Sequence, residues 1–249
     1  ESEKRRVVFE ENEKGKFVFS MRLPDAETNM CYYDPYFEGI GSWVPENTKL
    51  FVAGGDPFKF SKTHFSRKSN GGGAVKYKRD HLRDTDDKAR SEWKSNRFVC
   101  TYSNRVEDKH KYAEDMLMMC IYWGCQMFPE IDVPLLWDYF EERGYAGFLM
   151  YRIDKSTGKL RKTPGSTSVA GIKQELFGAL MTYIKNNGMR ECHREFLEQC
   201  RDIESIEQMK DFDLFTACGY AEYAATRIFE EANAIETDPD IINLGEYYR

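Results

Sequence analysis

The stretch KLFVAGGDPFKFSK, residues 49–62, sets an apolar run against two glycines and a single acid. Leu50, Phe51, Val52 and Ala53 read as a buried strand, Gly54 and Gly55 interrupt it, and Asp56 follows with Pro57 behind it. Gly, Asp and Pro are turn residues, so a plain turn accounts for the stretch taken alone. A functional account requires further acids at the same place. The decisive matter is therefore where the other acids fall in the chain's topology.

Working outward, GGAVKYKRDHL (72–82) alternates like a half-buried strand, and RFVCTYS (97–103) is a third strand candidate. The period then changes. Tyr112, Met116, Met119, Cys120 and Trp123 share one side of a helix that Gly124 should end. This Met and aromatic stripe reads as core, not as a cofactor box. CQMFPEID (125–132) predicts a short strand stopping at Pro129, PLLWDYFEERG (134–144) an amphipathic helix, and AGFLMYR (146–152) another buried strand. A loop over DKSTGKLRKTPGSTS precedes helices at 169–188, in ECHREFLEQCRDI, and at 213–234. A strand meander followed by β–α–β units predicts an α/β fold, a mixed central sheet flanked by helices. Residues 1–48 read as a β-rich lead-in (RRVVFEE and GKFVFSM, then a loop-like DPYFEGIGSWVPEN), 49–235 as the core domain, and 236–249 as a tail.

Composition narrows the classes. The 249 residues are 41% hydrophobic and 14% aromatic, enough for a sizeable core. The longest apolar run, MLMMCIYWGCQMF (116–128), is broken by Gly124 and Gln126 and falls short of the roughly 18 residues of a membrane helix. There is no signal-peptide pattern, and the opening ESEKRR without Met reads as a piece of a longer protein. Seven scattered cysteines without a CxxC pair read as reduced core thiols. A net charge of −6 argues against a general nucleic-acid coat. The distribution is uneven: residues 59–97 carry 12 Lys and Arg against 5 Asp and Glu, leaving about −13 elsewhere. Such a segment can hold a polyanion or be a solvated face. Its candidates for phosphate contact are Lys59, Lys62, Arg67, Lys68, Lys76, Lys78 and Arg79. Gly71, Gly72 and Gly73 read as a hairpin turn in preference to a mobile loop. Lys173 reads as a solvated helix residue in preference to one facing DNA.

Three acids fall at matching places. Asp56 ends the first core strand and Glu130 ends the fourth. If those strands are parallel neighbours, both carboxylates lie on one rim. The last helix opens at KDFDLFTACGYAEYAA, with Asp211 and Asp213 at its start, where an acid also makes an ordinary cap. Its small residues, from Ala217 to Ala225, would let it lie close to the sheet and bring Asp213 toward the other two. Several carboxylates at one place repel unless cations sit among them. Magnesium takes carboxylates, water and phosphate oxygens, and two ions about 3.5–4 Å apart can hydrolyse a phosphodiester. His64, His81, His110 and His193 have no ligand-like spacing and read as surface or core residues.

GGDP after an apolar strand, GGGAVKYKRD, QMFPEID and MKDFDLFTACGYAEYAA together resemble the C-terminal nuclease domain of the large terminase subunit of tailed bacteriophages, an RNase H-like fold. The resemblance covers about residues 49–227. It implies a metal-dependent endonuclease that cuts double-stranded viral DNA during genome packaging, using two Mg²⁺ or Mn²⁺ ions. It implies Asp56, Glu130 and Asp213 as catalytic metal ligands, with Asp211 beside them. Asp132, two residues after Glu130, competes as a ligand, and the loop after Asp56 is long and basic. The implied partners are double-stranded DNA, an ATPase motor upstream of Glu1, the portal and the small terminase subunit, with no membrane, in the host cytoplasm. No GxxxxGK[ST] loop occurs, so this chain is not expected to hydrolyse ATP. The rival readings are another RNase H-like nuclease, such as a junction resolvase or an integrase, and a non-catalytic DNA-binding or docking module.

Overall fold

The computed structural model describes residues 6–58, 70–78, 96–153, 157 and 159–228. Nine strands occur among them: β1 (Phe17–Phe19), β2 (Cys31–Asp34), β3 (Ser42–Pro45), β4 (Phe51–Asp56), β5 (Gly71–Tyr77), β6 (Arg97–Asn104), β7 (Met127–Pro129), β8 (Tyr151–Ile153) and β9 (Leu160–Pro164). The α-helices are α1 (Lys109–Trp123), α2 (Leu135–Glu142), α3 (Ala170–Asn187), α4 (Arg194–Asp202) and α5 (Asp213–Tyr223). The molecule is a mixed α/β fold whose five-stranded sheet runs β1-β6-β5-β4-β7. β4, β5, β6 and β1 pair antiparallel in turn, and β7 joins β4 in parallel.

Alternation along β4 sends successive side chains to opposite faces, and both faces are covered. Phe51 and Ala53, with Val75 and Val99, pack against α1 and α2; Trp123 fills this side. Val52, with Ala74, Phe98 and Phe128, packs against α3, α4 and α5. Full coverage explains why β4 reads as a continuous apolar run. α1 starts where the Asp108 carboxylate accepts from the His110 amide (2.9 Å) and ends at Gly124, whose φ of 59° favours glycine. Among the described residues no helix is long and apolar enough to cross a membrane. All seven cysteines are free thiols, and five are buried.

Several local expectations change. Within the lead-in, β1 becomes an edge strand of the main sheet, with Phe17 opposite Tyr102, while RRVVFEE forms no strand over residues 6–10. The segment read as a loop over 34–47 contributes β3 and the end of β2, which form a separate hairpin. The strand expected at 146–152 is a 3₁₀ turn at Ala146–Phe148 followed by β8. Here side chains take the ladder groups: the Gly147 amide donates to Ser42 Oγ (3.0 Å), and its carbonyl accepts from Gln126 Nε2 (3.2 Å). One parallel bridge, Met127 to Leu149, is what links this stretch to β7. β9 lies inside the expected 154–168 loop and pairs with β8. The last α-helix ends at Tyr223 and runs into a π turn over Ala224–Ile228. The tail, 236–249, lies outside the described residues.

Candidate active site

The parallel register of β4 and β7 builds the first half of the site. Gly55 stands opposite Pro129, and the Glu130 amide donates to the Gly55 carbonyl (2.9 Å). That bond sets Glu130 beside Asp56 at one end of the sheet. The other edge of residues 129–131 is held by Ser166: its amide donates to the Pro129 carbonyl (3.0 Å), and its carbonyl accepts from the Ile131 amide (3.0 Å). Glu130 is thus clamped from both sides.

Asp213 arrives on α5, which crosses β4 and β5 on the face of Val52 and Ala74. Gly54 and Gly72 make this crossing possible. A Cβ at Gly54 would stand well inside 3.0 Å of the Ala217 carbonyl oxygen and the Ala221 amide nitrogen; one at Gly72 would collide with the Asp213 carbonyl. Asp213 does not cap its own helix, whose N-cap residue is Phe212. Its Oδ2 accepts instead from the Asn70 amide (2.6 Å), at the entry to β5.

Asp56, Glu130 and Asp213 are each at least nine-tenths buried and line one cavity of about 270 Å³. Burial is the largest influence on Asp56 and pushes its carboxyl well up; a hydrogen bond with Glu130 and the charges of Glu130 and Asp213 push it the same way, while Lys173 pulls it down. Proton retention at Asp56 therefore eases part of the repulsion among the three acids. The donor set is all oxygen, which suits Mg²⁺ or Mn²⁺ and not a soft metal. Among the described residues no group of three or more His, Cys, Asp and Glu side chains stands in ion-gripping geometry. The carboxylates face a common space instead of meeting at one point.

Other anticipated residues lie elsewhere. Asp211 is exposed on a 3₁₀ turn and does not line the cavity. Asp132 is also exposed, and its Oδ2 accepts from the Ser168 amide (3.2 Å). Lys76 and Lys78, expected on DNA, are corrections. Lys76 is fully buried, paired with the Glu222 carboxylate and over the Tyr183 ring (4.7 Å to its centre). The alternation of β5 suggested one solvated face, but α5 and α3 cover the face that carries Lys76. Lys78 is buried too and donates to the Thr48 carbonyl. Lys59, Lys62, Arg67, Lys68 and Arg79 lie outside the described residues, as do His64 and His81. His110 is exposed against the Tyr139 ring; His193 is a core residue bonded to Thr101, Ser20 and the Phe98 carbonyl.

The structure adds Lys173, Lys210 and Tyr220 to the cavity wall. Lys173 follows the clamped loop around Ser166 into the first turn of α3, so its placement depends on a tertiary contact that no local pattern announces. Tyr220 lies seven residues, about two turns, beyond Asp213 on α5, a spacing visible in sequence once the helix is known to face the site. No protein-family model matches this sequence, and no curated protein or solved structure matches the chain.

Proposed function

We propose that this chain is a metal-dependent endonuclease with an RNase H-like fold, the nuclease domain of a phage large terminase subunit, which cuts double-stranded viral DNA during packaging. The observation that carries the reading is that Asp56, Glu130 and Asp213, from three separate elements, line one cavity and that the last two raise the proton affinity of the first. The antiparallel β6-β5-β4 unit with β7 added in parallel beside β4 supports it. On this reading the partners are double-stranded DNA, an ATPase motor outside this chain, the portal and the small subunit, and the setting is the host cytoplasm.

Asp56, with Glu130 and Asp213 on either side, would hold Mg²⁺ or Mn²⁺. The bound metal supplies an acidified water and charge stabilisation at the phosphate. The chain's own contribution is positional. The Gly55 carbonyl and Ser166 fix Glu130, the Asn70 amide fixes Asp213, and the end of β4 presents Asp56. The charge of Lys173 offsets part of the negative charge around Asp56.

The test is cleavage of supercoiled plasmid by the chain and by Asp56→Ala in Mg²⁺, Mn²⁺ and EDTA. Metal-dependent cutting that disappears in the variant is the expected result. A folded wild-type chain that binds neither ion and cuts nothing overturns the reading. Preference for a four-way junction over linear duplex would reassign the enzyme to the resolvase class.

A further inference from the structure

Beside its three acids the cavity is lined by three hydrogen-bond donors, Lys173, Lys210 and Tyr220. Lys173 is half-buried and Lys210 exposed, and among the described residues neither ammonium stands within salt-bridge distance of a carboxylate. Tyr220 packs its ring on Phe128 (5.9 Å between centres) and is fully buried. Its hydroxyl finds no partner in hydrogen-bonding geometry, although the Ser168 side chain pulls the phenol's proton affinity down as a hydrogen bond would. A buried donor left without an acceptor is costly to the fold, so such a group at a cavity wall marks where a ligand oxygen belongs. Three donors and three carboxylates around one space that suits oxygen-loving cations match the needs of a phosphate diester: donors for its free oxygens, cations for its reacting ones.

Resting on the nuclease reading, we infer that Lys173 and the Tyr220 hydroxyl hold the phosphate being cut, and that Lys210 holds a neighbouring phosphate of the same strand. The assignment follows electrostatic reach. The charge of Lys173 acts on Asp56, and Tyr220 is influenced by Glu130 and Asp56, whereas Lys210 is not among the charges acting on Asp56 or Tyr220 and is the exposed member of the three. Burial, the largest cause, and those carboxylates keep the phenol protonated, so it acts as a donor at any working pH. The inference also replaces the two anticipated phosphate contacts, Lys76 and Lys78, that the fold has placed in its interior.

The test measures duplex DNA binding in Ca²⁺ against salt concentration, and single-turnover cleavage in Mg²⁺, for Lys173→Gln, Lys173→Arg, Lys210→Gln and Tyr220→Phe. Each Gln variant should flatten the slope of log affinity on log salt by about 0.9, one phosphate contact. Tyr220→Phe should weaken binding without changing the slope, because a neutral donor releases no counterion, and should unfold no earlier than wild type. Lys173→Gln and Tyr220→Phe should each slow single-turnover cleavage by about 10²-fold, with Lys173→Arg recovering part of the loss. Wild-type slopes in both Gln variants, or a Tyr220→Phe enzyme that binds and cuts like wild type, overturn the corresponding assignment while leaving the nuclease intact. A wild type that binds but never cuts overturns the nuclease reading, and the slopes still decide the phosphate contacts. A wild type that binds no DNA overturns both.

Discussion

Gly54→Ala is the substitution that most directly probes how the fold makes its site. In an open place, Gly→Ala stabilises by about 0.4–1 kcal/mol, because the unfolded chain loses freedom. At Gly54 the new methyl would meet the Ala217 carbonyl and the Ala221 amide of α5, both well inside 3.0 Å. These are backbone atoms of a helix interior, so no side chain can swing aside; the helix must lift. Overpacking of this kind costs about 1–3 kcal/mol, enough to reverse the usual sign. Asp213 begins the lifted helix, and a displacement of about 1 Å in a reacting constellation can cost about 10²-fold in rate. Gly178, inside α3 with nothing within 4 Å of a Cβ, is the control. There Ala should stabilise by up to about 1 kcal/mol. Urea unfolding of both variants, with plasmid cleavage beside it, reads the two effects. Gly54→Ala that is as stable as Gly178→Ala and cuts at the wild-type rate would refute the close-packing argument.

Two further perturbations separate a functional site from a structural one. In its folded state Asp56 keeps its proton to higher pH than its ordinary value of 3.8, so the fold binds more protons than the unfolded chain above that pH and loses stability as pH rises. In EDTA, Asp56→Asn should therefore unfold at higher temperature than wild type, by a margin that grows from pH 4 to neutrality; thermal melts showing the variant equal or weaker at neutral pH would count against this. Lys76→Ala leaves the Glu222 carboxylate buried without its cation and should lose about 3–5 kcal/mol in urea unfolding, whereas Lys76→Met with Glu222→Met should recover most of it; a loss under about 1 kcal/mol in the single variant would refute the pairing.

What could be read from the sequence was whatever local chemistry decides. The strand ending at Asp56, the helix ended by Gly124, the stop at Pro129 and the helix opened at Asp213 carry their own signals, in apolar runs, a left-handed cap, a proline and small residues. What could not be read depends on a second element. β1 is three residues long and becomes a strand by lying against β6. Lys76 has the pattern of a solvated position and sits in the core because Glu222, 146 residues away, meets it there. Lys173 has the pattern of an exposed helix position and faces the carboxylates because Ser166 pins the preceding loop to Pro129 and Ile131. Charge along the chain therefore misplaced Lys76 and Lys78, since a charge count does not say which side of a strand is covered.

The cost of the arrangement is itself an argument about its purpose. A fold selected for stability alone would not bury Asp56 beside two other acids, nor leave the Tyr220 hydroxyl without an acceptor. Other buried charged and polar groups of the chain do find partners, the Trp123 indole N–H in the core being an exception. Lys76 meets Glu222, Glu191 accepts from Tyr183 and from the Cys192 and His193 amides, and Asp115 accepts from Lys16 and Tyr102. Three crowded acids and a donor without a partner line one cavity, reached by glycines at Gly54 and Gly72 that admit a helix to backbone contact. Strained or under-satisfied positions gather where a site must be ready before its ligand arrives. Cations would relieve the carboxylates, and a phosphate would relieve the donors, so a single substrate complex would settle both debts together. Docking-module chemistry, with the acids as turn and cap residues, leaves them unexplained, because Asp213 bonds to Asn70 and not to its own helix.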